Sequence, residues 1–126
     1  MSDIEQFVEQ NYLNLQTFRK NGEPMPTPVW FVQDSEKFYI RTVAGSGKVK
    51  RIYNNPKVQI MPCGQRGEPL GTWVAAQARE IQDEETIAFA KSLMIAKYSE
   101  LFITIDAQAQ AGGQKSAYLV VEPEKA

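Results

Sequence analysis

The sequence of 126 residues has no histidine and a single cysteine, Cys63. Without histidine there is no Ser-His-Asp or Cys-His relay, no imidazole ligand for a metal, and no side chain that ordinarily titrates near neutrality. One cysteine cannot close an internal disulfide or supply the thiolates of a zinc or iron–sulfur centre, so no metal site is expected. Nothing near Cys63 in sequence activates its thiol, and it is expected to be inert. The chain also lacks any apolar run approaching the roughly 20 residues that cross a bilayer. It has no excess of positive charge: 14 Lys and Arg against 15 Asp and Glu leave a net −1. That balance argues against a dedicated nucleic-acid binder. The acidic start, Met1-Ser2-Asp3-Ile4-Glu5-Gln6, is unlike a secretion leader, and a cytoplasmic protein without a membrane partner is expected. In an enzyme so composed, a bound cofactor carries the chemistry and the protein holds and tunes it.

The remainder is ordinary for one globular domain over residues 1–126, with 43% hydrophobic and 23% charged residues. The distinctive stretch runs from Arg41 to Pro56. The apolar run Phe38-Tyr39-Ile40 reads as the end of a strand, and Val43-Ala44-Gly45-Ser46-Gly47 as a loop of small residues. Lys48 to Asn54 reads as a short basic helix, stopped by Asn54-Asn55-Pro56. Such a join gathers free backbone N–H groups, the hydroxyls of Thr42 and Ser46, and the cations Lys48, Lys50 and Arg51. A helix N-terminus carries unpaired donors and partial positive charge, so an anion suits it, here a cofactor phosphate.

Along the chain, Ser2-Asp3-Ile4-Glu5 has the capping-box pattern and opens a short helix. A strand follows over Tyr12–Arg19, then a hairpin turn at Asn21-Gly22. The next strand, Met25–Val32, carries Pro26 and Pro28 and is preceded by Pro24. Proline cannot donate to a ladder, so one side of this strand is left unpaired. The free backbone of Thr27, Pro28, Val29 and Trp30 then either meets a ligand or forms an edge guarded against aggregation. Strands are expected over Phe38–Thr42, Val58–Met61 and Leu70–Ile81, the last with Trp73 in its first half. Val49, Ile52 and Tyr53 share the apolar side of the basic helix. Asp83 caps a second helix, whose 3.6-residue period runs through Ile87, Phe89, Ala90, Leu93, Met94 and Tyr98. Residues 99–116 are ambiguous between helix and strand, and Ala117–Glu122 is a final strand. The pattern gives a mainly β fold with peripheral helices, a small antiparallel barrel or sheet. A homodimer would cover the long apolar strand.

Several segments, in this order, resemble the pyridoxamine-phosphate-oxidase-like, FMN-binding split-barrel family. They are Thr17-x-Arg19, Pro26-Thr-Pro-Val-Trp-Phe31, Thr42-x3-Ser46-Gly-Lys48-x-Lys-Arg51-Ile-x-Asn-Asn-Pro56-x-Val58, Gly71-Thr-Trp-Val, Ala78-Arg79 and Ala96-Lys-Tyr98. The similarity covers nearly the whole chain and is nearest to the flavin- or deazaflavin (F420)-dependent oxidoreductases. It implies a six-stranded antiparallel split β-barrel, homodimeric, with the cofactor in a cleft between two barrels. By resemblance the phosphate meets Thr42, Ser46 and Lys48, with Lys50 or Arg51 close by. The ring lies on the backbone of Thr27 to Trp30, and the partner chain adds the strand around Trp73. Arg41, beside the loop, either reaches the cofactor or pairs with a carboxylate. Tyr98 is a proton donor by family analogy and a core residue by composition.

The sequence departs from pyridoxamine phosphate oxidases proper. Pro26 and Phe31 stand where those enzymes carry a phosphate-binding Arg and Lys, and the basic C-terminal segment is missing, so oxidation of vitamin B6 is not expected. The motifs do not decide between FMN and F420. Nine Lys against five Arg is unlike the GC-rich actinobacterial sequences where F420 is common, which tilts the choice to FMN. Two functions are open: hydride transfer between the cofactor and a small conjugated substrate, or non-catalytic binding, storage or sensing of a flavin or tetrapyrrole. Haem would lack its usual histidine ligand.

Overall fold

In the computed structural model, residues 3–99, 104, 108, 111–113 and 115–124 are described. A 3-10 turn over Asp3–Phe7 leads into strands β1 (Tyr12–Phe18), β2 (Pro24–Trp30), β3 (Val32–Asp34) and β4 (Lys37–Val43). Helix α1 (Gly47–Asn54), strands β5 (Lys57–Cys63) and β6 (Val74–Glu80), helix α2 (Glu84–Tyr98) and strand β7 (Ser116–Pro123) follow. The strands form one antiparallel sheet in the order β2-β1-β5-β6-β7-β4-β3.

The order explains the split. Residues 24–34 are almost continuous in extended form, yet β2 pairs with β1 at one end of the sheet and β3 with β4 at the other. The sheet therefore curls until its two ends meet at Phe31, the one residue between β2 and β3. β3 pairs Val32 with Tyr39 and Asp34 with Lys37. Carried backwards, that register would set Trp30 against Arg41 and Thr27 against Ala44. β2 and β4 do touch, but no ladder joins them. Between those residues the ladder is broken, and this break is the gap between β2 and β4.

Alternation sorts the side chains onto two layers. Inside the curl, Leu13, Leu15, Ile40, Ile60, Leu119 and Val121 are fully buried around Phe7, Phe31 and Phe38. Phe7 meets the other two rings edge-on, at centroid distances of 5.9 and 4.8 Å. Outside, α2 covers Val32, Tyr39, Tyr118 and Val120 with Ala90 and Met94. Full burial of each large apolar side chain contributes about 1.5–3 kcal/mol. Asp83 caps α2 as its sequence predicts, accepting a 2.9 Å bond from the Thr86 N–H.

Four expectations change. The sheet has seven strands rather than six, because the segment expected as Met25–Val32 breaks at Phe31. The strand expected over Leu70–Ile81 is only Val74–Glu80; Leu70 and Trp73 lie in the preceding loop, 56% and 39% exposed. Its alternating burial leaves no long apolar face to cover. Tyr53 does not join Val49 and Ile52 inside: it is exposed, and its hydroxyl donates to Glu80 at 2.6 Å. The Asn21-Gly22 turn is a five-residue loop, with Gly22 at φ +87° and bonds between Arg19 and Glu23. Ser2 and most of 99–116 lie outside the described residues. No helix among the described residues is long and apolar enough to cross a membrane.

Candidate functional site

The loop from β4 to α1 is built by its backbone. The Ala44 N–H donates to Lys115 O at 2.8 Å and the Ser46 N–H to Val43 O at 3.2 Å. Gly45 takes φ +72°, a conformation glycine adopts without a Cβ penalty. Ser46 then sits at the N-cap of α1 in extended form. A serine there normally accepts from the second or third helical N–H. This one makes no such bond, and its Oγ is buried without any hydrogen-bond partner among the described residues. A buried hydroxyl left unpaired costs about 1–3 kcal/mol, so it signals a missing partner.

Two cations converge on the same helix end. Arg51 folds back along α1 until its Nη1 lies 2.8 Å from where a Cβ on Gly47 would stand. Its Nε donates to Thr17 Oγ1 at 2.7 Å. Thr17, on the inner face of β1, is fully buried. Lys48 is partly buried, and its pKa is lowered, first by loss of solvent and second by the Arg51 charge. No acidic residue occupies the first turn of α1. Two positive side chains at the positive end of a helix dipole repel one another unless an anion sits between them.

The sequence-expected residues separate into groups. Thr42, on the inner face of β4, is buried at 6% exposure, and Ser46, Lys48 and Arg51 share the helix end described above. Lys50 is exposed on the solvent side of α1. Arg41 points to the opposite face of β4 from Thr42, where Nε and Nη2 both donate to Ser116 Oγ, at 3.2 and 2.9 Å. Thr27, Pro28, Val29 and Trp30 lie on the edge of β2 that touches β4 without a ladder. Prolines 24, 26 and 28 have no N–H to donate to β1, so Met25, Thr27 and Val29 must supply that ladder. The outer edge of β2 then offers mainly carbonyl acceptors.

Trp73 lies on the loop between β5 and β6, and no ring or hydrogen-bond contact among the described residues ties it to the Ser46 cluster. That loop is pinned: Gln6 exchanges two bonds with the Thr72 backbone, 3.1 and 2.9 Å, and Asn14 Nδ2 donates to Gly67 O at 3.0 Å. Cys63 is buried, and burial pushes its thiol up to about 11, in keeping with an inert role.

Two features escaped the sequence reading. Thr17 was legible only as part of the Thr17-x-Arg19 motif, and nothing local shows that it orients Arg51. Lys97 and Tyr98, visible as Ala96-Lys-Tyr98, close on Phe31. The Phe31 N–H donates to Tyr98 Oη at 3.1 Å, while Phe31 O accepts from Tyr98 Oη at 2.7 Å and Lys97 Nζ at 2.9 Å. Burial raises the Tyr98 pKa, so it is a poor acid.

No curated protein sequence matches the chain. Among solved structures, it is similar to HutZ, the haem storage protein of Vibrio cholerae, with TM-score 0.74 and 22% identity over 98% of this chain and 88% of that one. A FAD-binding protein of Mesorhizobium loti gives TM-score 0.63 and 17% identity, over 99% and 90%. A NimC/NimA family protein of Clostridium acetobutylicum gives 0.60 and 16%, over 94% and 76%. At such identities these likenesses establish the fold. The sequence profile of the family described as Pyridoxamine 5'-phosphate oxidase matches residues 2–126, and the chain belongs to that family.

Proposed function

We propose that the protein binds FMN as a homodimer and acts as an oxidoreductase on a small conjugated substrate. The observation that carries this is the unpartnered Ser46 Oγ at the end of α1, beside Lys48 and Arg51. The residues present fit a phosphate: a hydroxyl, two cations and free helical N–H groups converge, and Gly47 leaves the space that Arg51 uses. Charge-assisted bonds from such groups are worth about 1.5–3 kcal/mol each. Two cations and a helix dipole match the dianion of a terminal phosphate monoester, as in FMN, better than the single charge of the phosphodiester in F420. The unladdered edge at Thr27–Trp30, with Thr27, Val29 and Trp30 half-buried and Pro28 exposed, offers carbonyls that suit a flat ring with its own N–H donor. Bound FMN would supply hydride and single-electron chemistry. The protein would orient the ring and exclude water from one face.

That edge of β2 has no ladder partner in one chain, and a second copy would cover it. Leu70 and Trp73, exposed on a pinned loop, are apolar groups suited to that contact. The likeness to a haem storage protein favours a second reading, non-catalytic binding of a flavin or tetrapyrrole. The absence of histidine weighs against haem. A visible spectrum and mass of whatever co-purifies, followed by titration with FMN, F420 and riboflavin, test the proposal. FMN is expected to bind much more tightly than riboflavin. Equal affinity for the two would remove the phosphate assignment, and a reduced cofactor reoxidised by no acceptor but oxygen would favour the storage reading.

A further inference from the structure

Phe31 has a backbone problem that the fold must solve. It is fully buried, lies between β2 and β3 and belongs to neither ladder, and buried peptide groups need partners. The last turn of α2 supplies them. Tyr98 Oη accepts from the Phe31 N–H and lies 2.7 Å from Phe31 O; the same hydroxyl is 2.8 Å from Asn11 O. Lys97 Nζ donates to Phe31 O at 2.9 Å and to Gln10 O at 2.6 Å, and stands 3.9 Å from the centroid of the Phe31 ring. Next in the chain, Trp30 stacks on Tyr98 with centroids 4.6 Å apart and planes 9° from parallel. Two adjacent α2 side chains thus fix both peptide groups of the corner and the ring that ends β2.

We propose that Lys97 and Tyr98 are positioning residues for the ring site. They clamp the Phe31 corner and so set the line of the Thr27–Trp30 backbone that faces the gap. This rests on the flavin reading above. The strand needs such a clamp because its outer edge has no ladder and three of its seven residues are prolines, so among the strands only β1 ladders to it. A clamp on one end of a strand held along one edge controls its tilt. The phosphate cluster hangs on β1, β4 and α1, and does not depend on this corner.

The test uses FMN, riboflavin and inorganic phosphate as probes on the full chain, with Tyr98→Phe and Lys97→Met. Tyr98→Phe removes the hydroxyl and keeps the ring that stacks on Trp30; Lys97→Met keeps the apolar stem. Melting curves check that each variant folds. The clamp predicts riboflavin binding weakened about tenfold in Tyr98→Phe, as expected for loss of a buried hydrogen-bonded group. It also predicts a shifted visible band for bound FMN, inorganic phosphate competing as in the parent, and faster amide exchange at Phe31 without ligand. Folded variants with the parent's riboflavin affinity, FMN spectrum and Phe31 exchange would overturn the clamp while leaving the flavin reading intact. A parent chain that binds neither flavin would overturn both, and that outcome appears before any variant is made.

Discussion

Arg51 on α1 donates through Nε to the hydroxyl of Thr17 on β1, at 2.7 Å across 34 residues of sequence. The bond turns a helix side chain back toward the N-terminus of its own helix, over Gly47. It makes the helix end that we propose as an anion site a product of two elements that meet only in the folded chain.

Removing that anchor is expected to cost phosphate affinity without unfolding the protein. Thr17→Val keeps shape and burial but deletes the acceptor. Gly47→Ala puts a methyl 2.8 Å from Arg51 Nη1, which the flexible guanidinium avoids only by leaving its place. Each variant should bind FMN about 5–10-fold more weakly, less than the worth of a whole charge-assisted hydrogen bond, because the guanidinium is displaced rather than removed. Riboflavin affinity should be unchanged. Calorimetric titration with both flavins checks this, and equal losses for the two ligands would show that Arg51 does not serve the phosphate.

Lys48→Ala is expected to weaken FMN by at least about tenfold. The pH dependence has a definite sign. Desolvation, and then Arg51, lower the Lys48 pKa in the free protein; a bound dianion favours the charged form and raises it. Binding therefore takes up a proton in the window between those two values, and affinity falls as pH rises through it. FMN titrations from neutral to alkaline pH should show the fall in the parent and a shallower one in Lys48→Ala.

Much of this was legible in the residues. Asp83 with Glu84 and Glu85 announced α2, the loop Ala44–Gly47 followed by Lys48 announced the join between β4 and α1, and the prolines of β2 announced a strand with one free edge. What could not be read is where distant pieces meet. A run from Met25 to Val32 looks like one strand, because nothing local says that its two ends belong to opposite ends of a curled sheet. Likewise Tyr53 has the spacing of a core residue, but it follows the helix face where Glu80 and Gln82 await it at 2.6 and 3.0 Å. Arg41 and Thr42 are neighbours in sequence and both suit an anion. The two-residue period of a strand sends them to opposite faces.

The Asp83 cap offers a stability test remote from the site. Its carboxylate accepts from the Thr86 N–H at 2.9 Å, and the Thr86 hydroxyl, followed by that backbone bond, holds its pKa below the usual carboxylate range. Asp83→Ala should destabilise the fold, seen as a lower urea midpoint near neutrality. A depressed folded pKa gives stability that is present above the unfolded value and lost as pH falls through the folded one. The difference between parent and variant should therefore shrink in acid.

Lys97 gives the opposite sign, and it is measurable without any ligand. The side chain is exposed along its length, yet its ammonium is tucked against the Phe31 ring, and desolvation pulls its pKa to about 8 from 10.5. Between those values the unfolded chain binds more protons than the folded one, so folding stability rises with pH across the window. Below about 8 the charge stays on in both states, and its desolvation is a constant cost. In Lys97→Met that rise should vanish, although both curves keep whatever slope the remaining groups give. The effect is modest, because solvent reaching the stem screens the charge. Urea unfolding at intervals between pH 7 and 11 (a range of about four units bracketing the window) measures the difference curve. A difference that is flat with pH would mean that the Lys97 ammonium is as well solvated in the folded protein as in the unfolded chain, and that its two carbonyl bonds, to Gln10 and Phe31, are made at no electrostatic cost.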